Sequence, residues 1–423
     1  MPIFGEPSAR WRVYTYKKHL KNETRMKTFA WIAGLCLVAG VVQAQEDTRV
    51  VSPAKVSHDS AWYAREAGKW QRIARQDKRN ELAWENYYRA TRYQLTWNTS
   101  PDGAQKAQPV LDGILKEMEK AIPGSFTYNF LMYYNGGGRL DKGPYMERAI
   151  ALRPDDASRY SDYVPYLLRA RKDSLLTDVC RKWYAGGEYS PSLLNYGYNQ
   201  LAGMEPDALF FTNGDIPVFT DLLLHRGMGL FPGIRTICLG WITVPDYYEP
   251  LLEELGIPPF HYDPKDVGRL YKDWQGLSDA IVRHILKHTS RPAYFSVVLS
   301  KQEVAAFRDK LYSEGLVMRY AEKPYDNMAV LRRNFEQRYL TDYLRERFHP
   351  ESNYPDAARF DLNYLPCFSP LLQFYRQSGD LNQARRLESL FRAILERADL
   401  PGAQRQDYEH LFEADGTTGG VER

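Results

Sequence analysis

The chain has 423 residues, 26% charged and 44% hydrophobic, with 56 Lys/Arg against 53 Asp/Glu. Seven of those basic and two of those acidic residues fall in positions 1–44, which leaves 49 basic and 51 acidic residues beyond them. That balance offers no cationic surface for nucleic acid, and the length suffices for two or three packed units.

The N-terminus points to export. From Met26, the expected initiator, "MKTFAWIAGLCLVAGVVQA" has a basic start, an apolar core over Thr28–Val42, and small residues at Val42 and Ala44 before a polar stretch. This is the pattern of a secretory signal peptide cleaved near Ala44, and the apolar run is too short for a membrane span. A lipoprotein anchor at Cys36 is disfavoured because Leu35 stands where a small residue is needed. No later apolar run reaches the roughly 20 residues of a membrane helix. The expected product is a soluble periplasmic chain. Its Cys180, Cys238 and Cys367 match no CxxC or zinc spacing and are expected as buried free thiols, with one disulfide as the alternative.

Residues 45–204 read as helical. "SAWYAREAGKWQRIARQDKRNELAWENYYRATRYQL" sets Trp62, Trp70, Ile73, Trp84, Tyr87, Tyr88 and Tyr93 at helical spacings. "AQPVLDGILKEMEKAIPGSFTYNFLMYYNGG" follows as helix, Pro-Gly break and helix. In "YMERAIALRPDDASRYSDYVPYLLRARKDSLLTDVCRKWYAGG" the "ERAIALRPDD" end resembles the boundary of a tetratricopeptide-type (TPR-like) helical hairpin. The period changes near Met204. "DALFF" and "RTICLGW" are β-forming and flank the helical "PVFTDLLLHRGMG", predicting a β–α–β unit with a right-handed crossover. Helices over 246–255 and 277–288, then "AYFSVVLS", a helix over 301–314, "GLVMRYAEK" and "MAVLRRNF", complete an α/β domain over 205–335. Helix returns with "RYLTDYLRERF", and "YLPCFSPLLQFYRQSGDLNQARRLESLFRAILERA" closes 336–413 as another hairpin; 414–423 is expected to be a disordered tail. The predicted class is therefore α+β or α/β: TPR-like helices flanking a small α/β domain with a mixed, partly parallel sheet.

The candidate site is the turn in "FFTNGDIPVFTDLL". If Phe210 and Phe211 end a strand, Thr212, Asn213, Gly214 and Asp215 lie at the carboxyl end of the sheet, where open α/β folds form ligand crevices. Gly214 supplies positive φ, and Asp215 is expected to cap the helix that begins near Pro217. In a functional reading Asn213 and Asp215 also grip a polar group. Tyr247 and Tyr248, after a second strand, either line the same crevice or pack as core aromatics. The turn lacks the glycine spacing of a dinucleotide or P-loop site. His284 and His288 share a helix face, yet no HExxH glutamate or third ligand accompanies them. Neither a metal nor a cofactor is expected. Ser60 and Ser174 stand in Asp-Ser-apolar tripeptides that resemble bacterial O-glycosylation acceptors.

"AWENYYRATRY", "AIPGSFTYNFLMYYNGG", "CRKWYAGGEYSPSLLNYGYNQLAGMEPDALFFTNGD" and "NYLPCFSPLLQFYRQSGDLNQA" together resemble a group of secreted, TPR-containing bacterial proteins. Their α/β segment is similar to the soluble C-terminal region of multi-spanning membrane proteins related to an animal protein O-mannosyltransferase. In that group the turn reads Asn-Gly-Asp-Asn-Asp-Thr-Tyr/Phe-Pro-Leu-Trp. Asn213-Gly214-Asp215 match its first three positions, and Ile216-Pro217-Val218-Phe219 replace the second acid and the threonine. In the membrane relatives sugar transfer is expected to belong to the membrane-embedded part, for which this sequence is expected to have no counterpart. The resemblance implies a soluble accessory or recognition module that binds a protein or peptide near exported glycoproteins. The alternative is a soluble carbohydrate- or glycoprotein-acting enzyme working through Asp215.

Overall fold

The computed structural model describes residues 49–53, 56–97, 103–346 and 354–412; the expected signal peptide and C-terminal tail lie outside the described residues. The chain divides into two compact units, one up to Asp156 and one from Ala157. The first is helical: α1 (Ser60–Gln76), α2 (Glu81–Thr96), α3 (Gly103–Ala121), α4 (Phe126–Asn135) and α5 (Gly143–Leu152). Side chains of Asp59, Asn80 and Ser125 accept backbone N–H bonds and start α1, α2 and α4. The aromatic stripe of α1 and α2 is core: Trp70, Trp84, Tyr87, Tyr88 and Tyr93 are all buried.

The second unit begins with α6 (Tyr160–Arg169), α7 (Asp173–Ala185) and α8 (Pro191–Ala202), which the sequence groups with the helices before them. Its sheet segment runs β1 (Leu209–Thr212), α9 (Asp215–Leu222), β2 (Arg235–Cys238), α10 (Pro245–Glu254), α11 (Val267–Leu270) and α12 (Trp274–His288). There follow β3 (Ala293–Ser296), α13 (Lys301–Val304), β4 (Leu311–Ser313) and β5 (Val317–Tyr320). The unit ends with α14 (Asn327–Arg333), α15 (Tyr354–Asp361), α16 (Tyr364–Gln377), α17 (Leu381–Ala398) and α18 (Gly402–Glu409).

The strands form one sheet in the order β2-β1-β3-β5-β4. β1 pairs parallel with β2 and β3, while β5 pairs antiparallel with β3 and β4. The fold is thus α+β with a small mixed sheet. Strand alternation sends Phe210 and Tyr294 into a core with Leu201, Met204 and Leu224, and turns Phe211 and Phe295 to the other face, where they stack at 4.8 Å. Below the sheet, Arg291 donates to the carbonyls of Asp207 and Gly233, each at 2.6 Å, and braces the amino ends of β1 and β2.

Two expectations fail for tertiary reasons. The helix expected over 301–314 stops at Val304, because Leu311–Ser313 find a strand partner in β5. In the described part of "RYLTDYLRERF" that follows Arg338, the one helical element is a 3₁₀ turn, Asp342–Arg345. There the buried Asn199 amide accepts from Leu340 N–H at 2.7 Å and donates to Leu340 C=O at 2.8 Å, taking the groups a helix would use. The closing hairpin forms as expected: Gly379 turns with φ +77° after α16, and Asp380 caps α17.

Candidate functional site at the end of the first strand

β1 lies between β2 and β3, so the connections leaving and re-entering the parallel part fall on opposite sides of it. That makes the carboxyl end of β1 a topological switch point, the usual place for a crevice. Thr212, the last strand residue, is fully buried and its hydroxyl has no hydrogen-bond partner among the described residues. Asn213 uses both ends of its amide on the protein. Its Oδ1 accepts from Gly214 N–H at 2.9 Å, from Gly240 N–H at 3.1 Å and from the Cys238 thiol at 3.8 Å. Its Nδ2 donates to Glu303 Oε1 at 2.6 Å, across the gap between β1 and α13. Glu303 is itself held by a capping box, its Oε2 accepting Ser300 N–H at 2.8 Å.

Two glycines make this possible. Gly214 has φ +92°, a conformation other residues rarely adopt. At Gly240 a Cβ would stand 2.7 Å from Asn213 Oδ1, so only glycine brings its N–H this close. Asn213 is therefore a bracket joining β1, the β2–α10 loop and α13. Asn213→Ala leaves a part-buried amide N–H and a carboxylate oxygen without their partner and is expected to cost about 1–3 kcal/mol in denaturant unfolding. A loss within about 0.5 kcal/mol, the scale of an ordinary surface change, would mean the bracket is idle.

Asp215 does not cap α9, which corrects the expectation. The cap position is Gly214, and Asp215 is the first helical residue, exposed at the rim. Its carboxylate accepts no hydrogen bond among the described residues. Although solvent reaches the side chain, the protein crowding it raises the carboxyl above the ordinary aspartate range. Its charge in turn raises the neighbouring Tyr189 phenol, for which burial is the larger cause.

Tyr247 and Tyr248 are core residues. Cys238 N–H donates to the Tyr247 hydroxyl at 2.9 Å, and the Tyr248 hydroxyl donates to Phe260 C=O at 3.1 Å. Burial pushes the Cys238 thiol up to about 12, so it is not a thiolate nucleophile at neutral pH. Cys180, Cys238 and Cys367 are all free thiols. His284 Nε2 lies 2.7 Å from Pro258 C=O, and no group of three His, Cys, Asp or Glu among the described residues is placed to hold a metal. Ser60 and Ser174 are exposed in the first turns of α1 and α7.

Of the six candidates, Thr212, Asn213, Tyr247 and Tyr248 are thus occupied or enclosed, and only Gly214 and Asp215 face solvent. Glu303, Gly240 and Tyr189 join the site unannounced. The Ser300-Lys301-Gln302-Glu303 capping box is legible in the sequence, but its tie to Asn213, 90 positions away, is not. Two clefts open elsewhere, one lined by Arg269, Lys272, Asp279 and Arg283 and one by Arg291, Arg319 and Glu322. No helix among the described residues is long and apolar enough to cross a membrane.

The class defined by this geometry is a helical protein carrying a small five-stranded mixed sheet, with a side-chain bracket at its switch point. Compared with known proteins, the chain matches no family model, no curated protein and no solved structure.

Proposed function

We propose that the protein is a periplasmic, non-enzymatic binding module that engages a protein or peptide partner through TPR-like helices, as an accessory to glycoprotein export or modification. The observation that carries this reading is the Asn213–Glu303 bond at 2.6 Å. It fills the crevice where an α/β enzyme would assemble its reacting groups with a structural tie. The stacking of α1 on α2, α4 on α5, α6 on α7 and α16 on α17 supports the repeat character, since paired helices expose faces that suit peptide recognition. The signal-peptide pattern supports export.

A second reading, a soluble carbohydrate- or glycoprotein-acting enzyme, is favoured by one observation: Asp215 is uncapped, with a raised pKa, beside the Tyr189 phenol. Asp215→Ala separates the two. With no cap to lose, the variant should unfold within about 0.5 kcal/mol of the parent. A partner isolated from periplasmic extract and titrated by calorimetry should bind both chains equally. Glycan release by the parent and none by the variant would instead establish the enzyme.

A further inference from the structure

We propose that Asn213 is a self-modifying residue: the folded turn drives its conversion to aspartate and isoaspartate through a cyclic imide with Gly214. Asn-Gly is the dipeptide in which a following backbone nitrogen reaches the side-chain carbonyl carbon with the least hindrance, because glycine has no Cβ. Here the approach is built in. Gly214 N–H donates to Asn213 Oδ1 at 2.9 Å, which keeps the nitrogen next to the side-chain amide, and loss of that proton turns the donor into the nucleophile. Gly240 N–H at 3.1 Å and the Cys238 thiol at 3.8 Å polarise the same Cγ–Oδ1 bond, as donors around a developing oxyanion do. Glu303 sits 2.6 Å from the departing Nδ2.

The step balances without oxidant or reductant. Hydroxide removes the Gly214 N–H proton, and the nitrogen lone pair forms a bond to Cγ as the carbonyl electrons move to Oδ1. Collapse of that adduct breaks the Cγ–Nδ2 bond, and the amide leaves as ammonia with a proton from water. A second water then opens the ring at either carbonyl. Net, the side chain consumes one water and releases one ammonia. The product places a carboxylate where an N–H donor met Glu303, so like charges face each other and the bracket across the switch point opens. This inference does not depend on the partner or on the enzyme question.

The chain carries its own control. Asn135-Gly136 is the same dipeptide, but Gly136 N–H is committed to Tyr133 C=O at 3.1 Å. Its nitrogen is thereby directed to the backbone and not to the Asn135 side chain. The folded full-length chain would be held at mildly alkaline pH, digested, and read by peptide mass spectrometry for the gain of about one dalton, with aspartate and isoaspartate separated by chromatography. Conversion at Asn213 should outrun that at Asn135 by about ten-fold or more, the effect of a pre-aligned attack. The same sample in denaturant should convert both at similar rates. Equal or slower conversion at Asn213 in the folded chain would overturn the proposal, as would a rate ratio that persists in denaturant.

Discussion

Arg397→Met is expected to remove about 3–5 kcal/mol of unfolding free energy from the second unit, because it takes one member out of a buried ion pair. Arg397 Nη1 lies 3.3 Å from Asp361 Oδ2, and the two side chains are only 10% and 2% exposed. The pair sits in a polar network inside an otherwise apolar helical core. The Tyr343 hydroxyl donates to Asp361 Oδ1 at 2.9 Å, and Arg397 also donates to Tyr343 C=O at 3.0 Å and Ser192 Oγ at 3.3 Å. Tyr364 joins through Asn199, whose Nδ2 donates to its hydroxyl at 2.6 Å. Burial, followed by the Asp361 carboxylate, holds the Tyr343 phenol far above its ordinary value, so it remains a donor. Without the guanidinium, Asp361 keeps the phenol but loses the charge of Arg397. Pairing Arg397→Met with Asp361→Leu should recover much of the loss, since an apolar pair of similar volume buries no charge at that place. Denaturant unfolding with hydrogen exchange read in α15, α16 and α17 checks both variants. A loss below about 1 kcal/mol for the single change would place the pair with exposed ion pairs and reject the argument.

Asp221→Asn should act in the opposite direction, stabilising the fold above neutral pH by about 1–3 kcal/mol, the scale on which a buried polar group is penalised for lost hydration. Asp221 is on α9, fully buried, with Thr236 Oγ1 donating to its Oδ2 at 3.2 Å and no partner for Oδ1. His225 is kept neutral by burial, and Arg235 is drawn to Glu254 at 3.1 Å. Burial therefore pushes the Asp221 carboxyl well above the usual range, and the bond from Thr236 offsets this only in part. The folded state thus keeps a proton that the unfolded chain gives up near about pH 4. Stability contributed through this group is fullest below that pH and declines as pH rises toward the folded-state pKa. Asparagine cannot ionise, so the difference between variant and parent should be small at about pH 4 and large at about pH 8. Using the difference separates Asp221 from His225, whose lowered pKa has the opposite sign. A parent chain and variant with the same stability at both pH values would show that Asp221 is ionised at no cost.

Much of the architecture was legible because it rests on local forces. Asp59, Asn80, Ser125 and Asp380 cap helices at places where Asp, Asn or Ser precedes an amphipathic run. The β-forming runs "DALFF", "RTICLGW" and "AYFSVVLS" became β1, β2 and β3. The same rule misled at Asp215, where the acid stands one position too late and Gly214 holds the cap. It misled again at 301–314, where three residues of helical spacing were claimed by a neighbouring strand.

By itself the sequence determined the helical periods, the parallel β–α–β start and the glycine at the tight turn, since each depends on residues a few positions apart. Only the tertiary structure decided what the polar side chains do. Asn213 meets Glu303 from 90 positions away, Asn199 meets Leu340 from 141, and Arg397 meets Ser192 from 205. A hydrogen bond is settled by which donor and acceptor the folded chain brings within about 3 Å, and no periodicity along the chain encodes that distance.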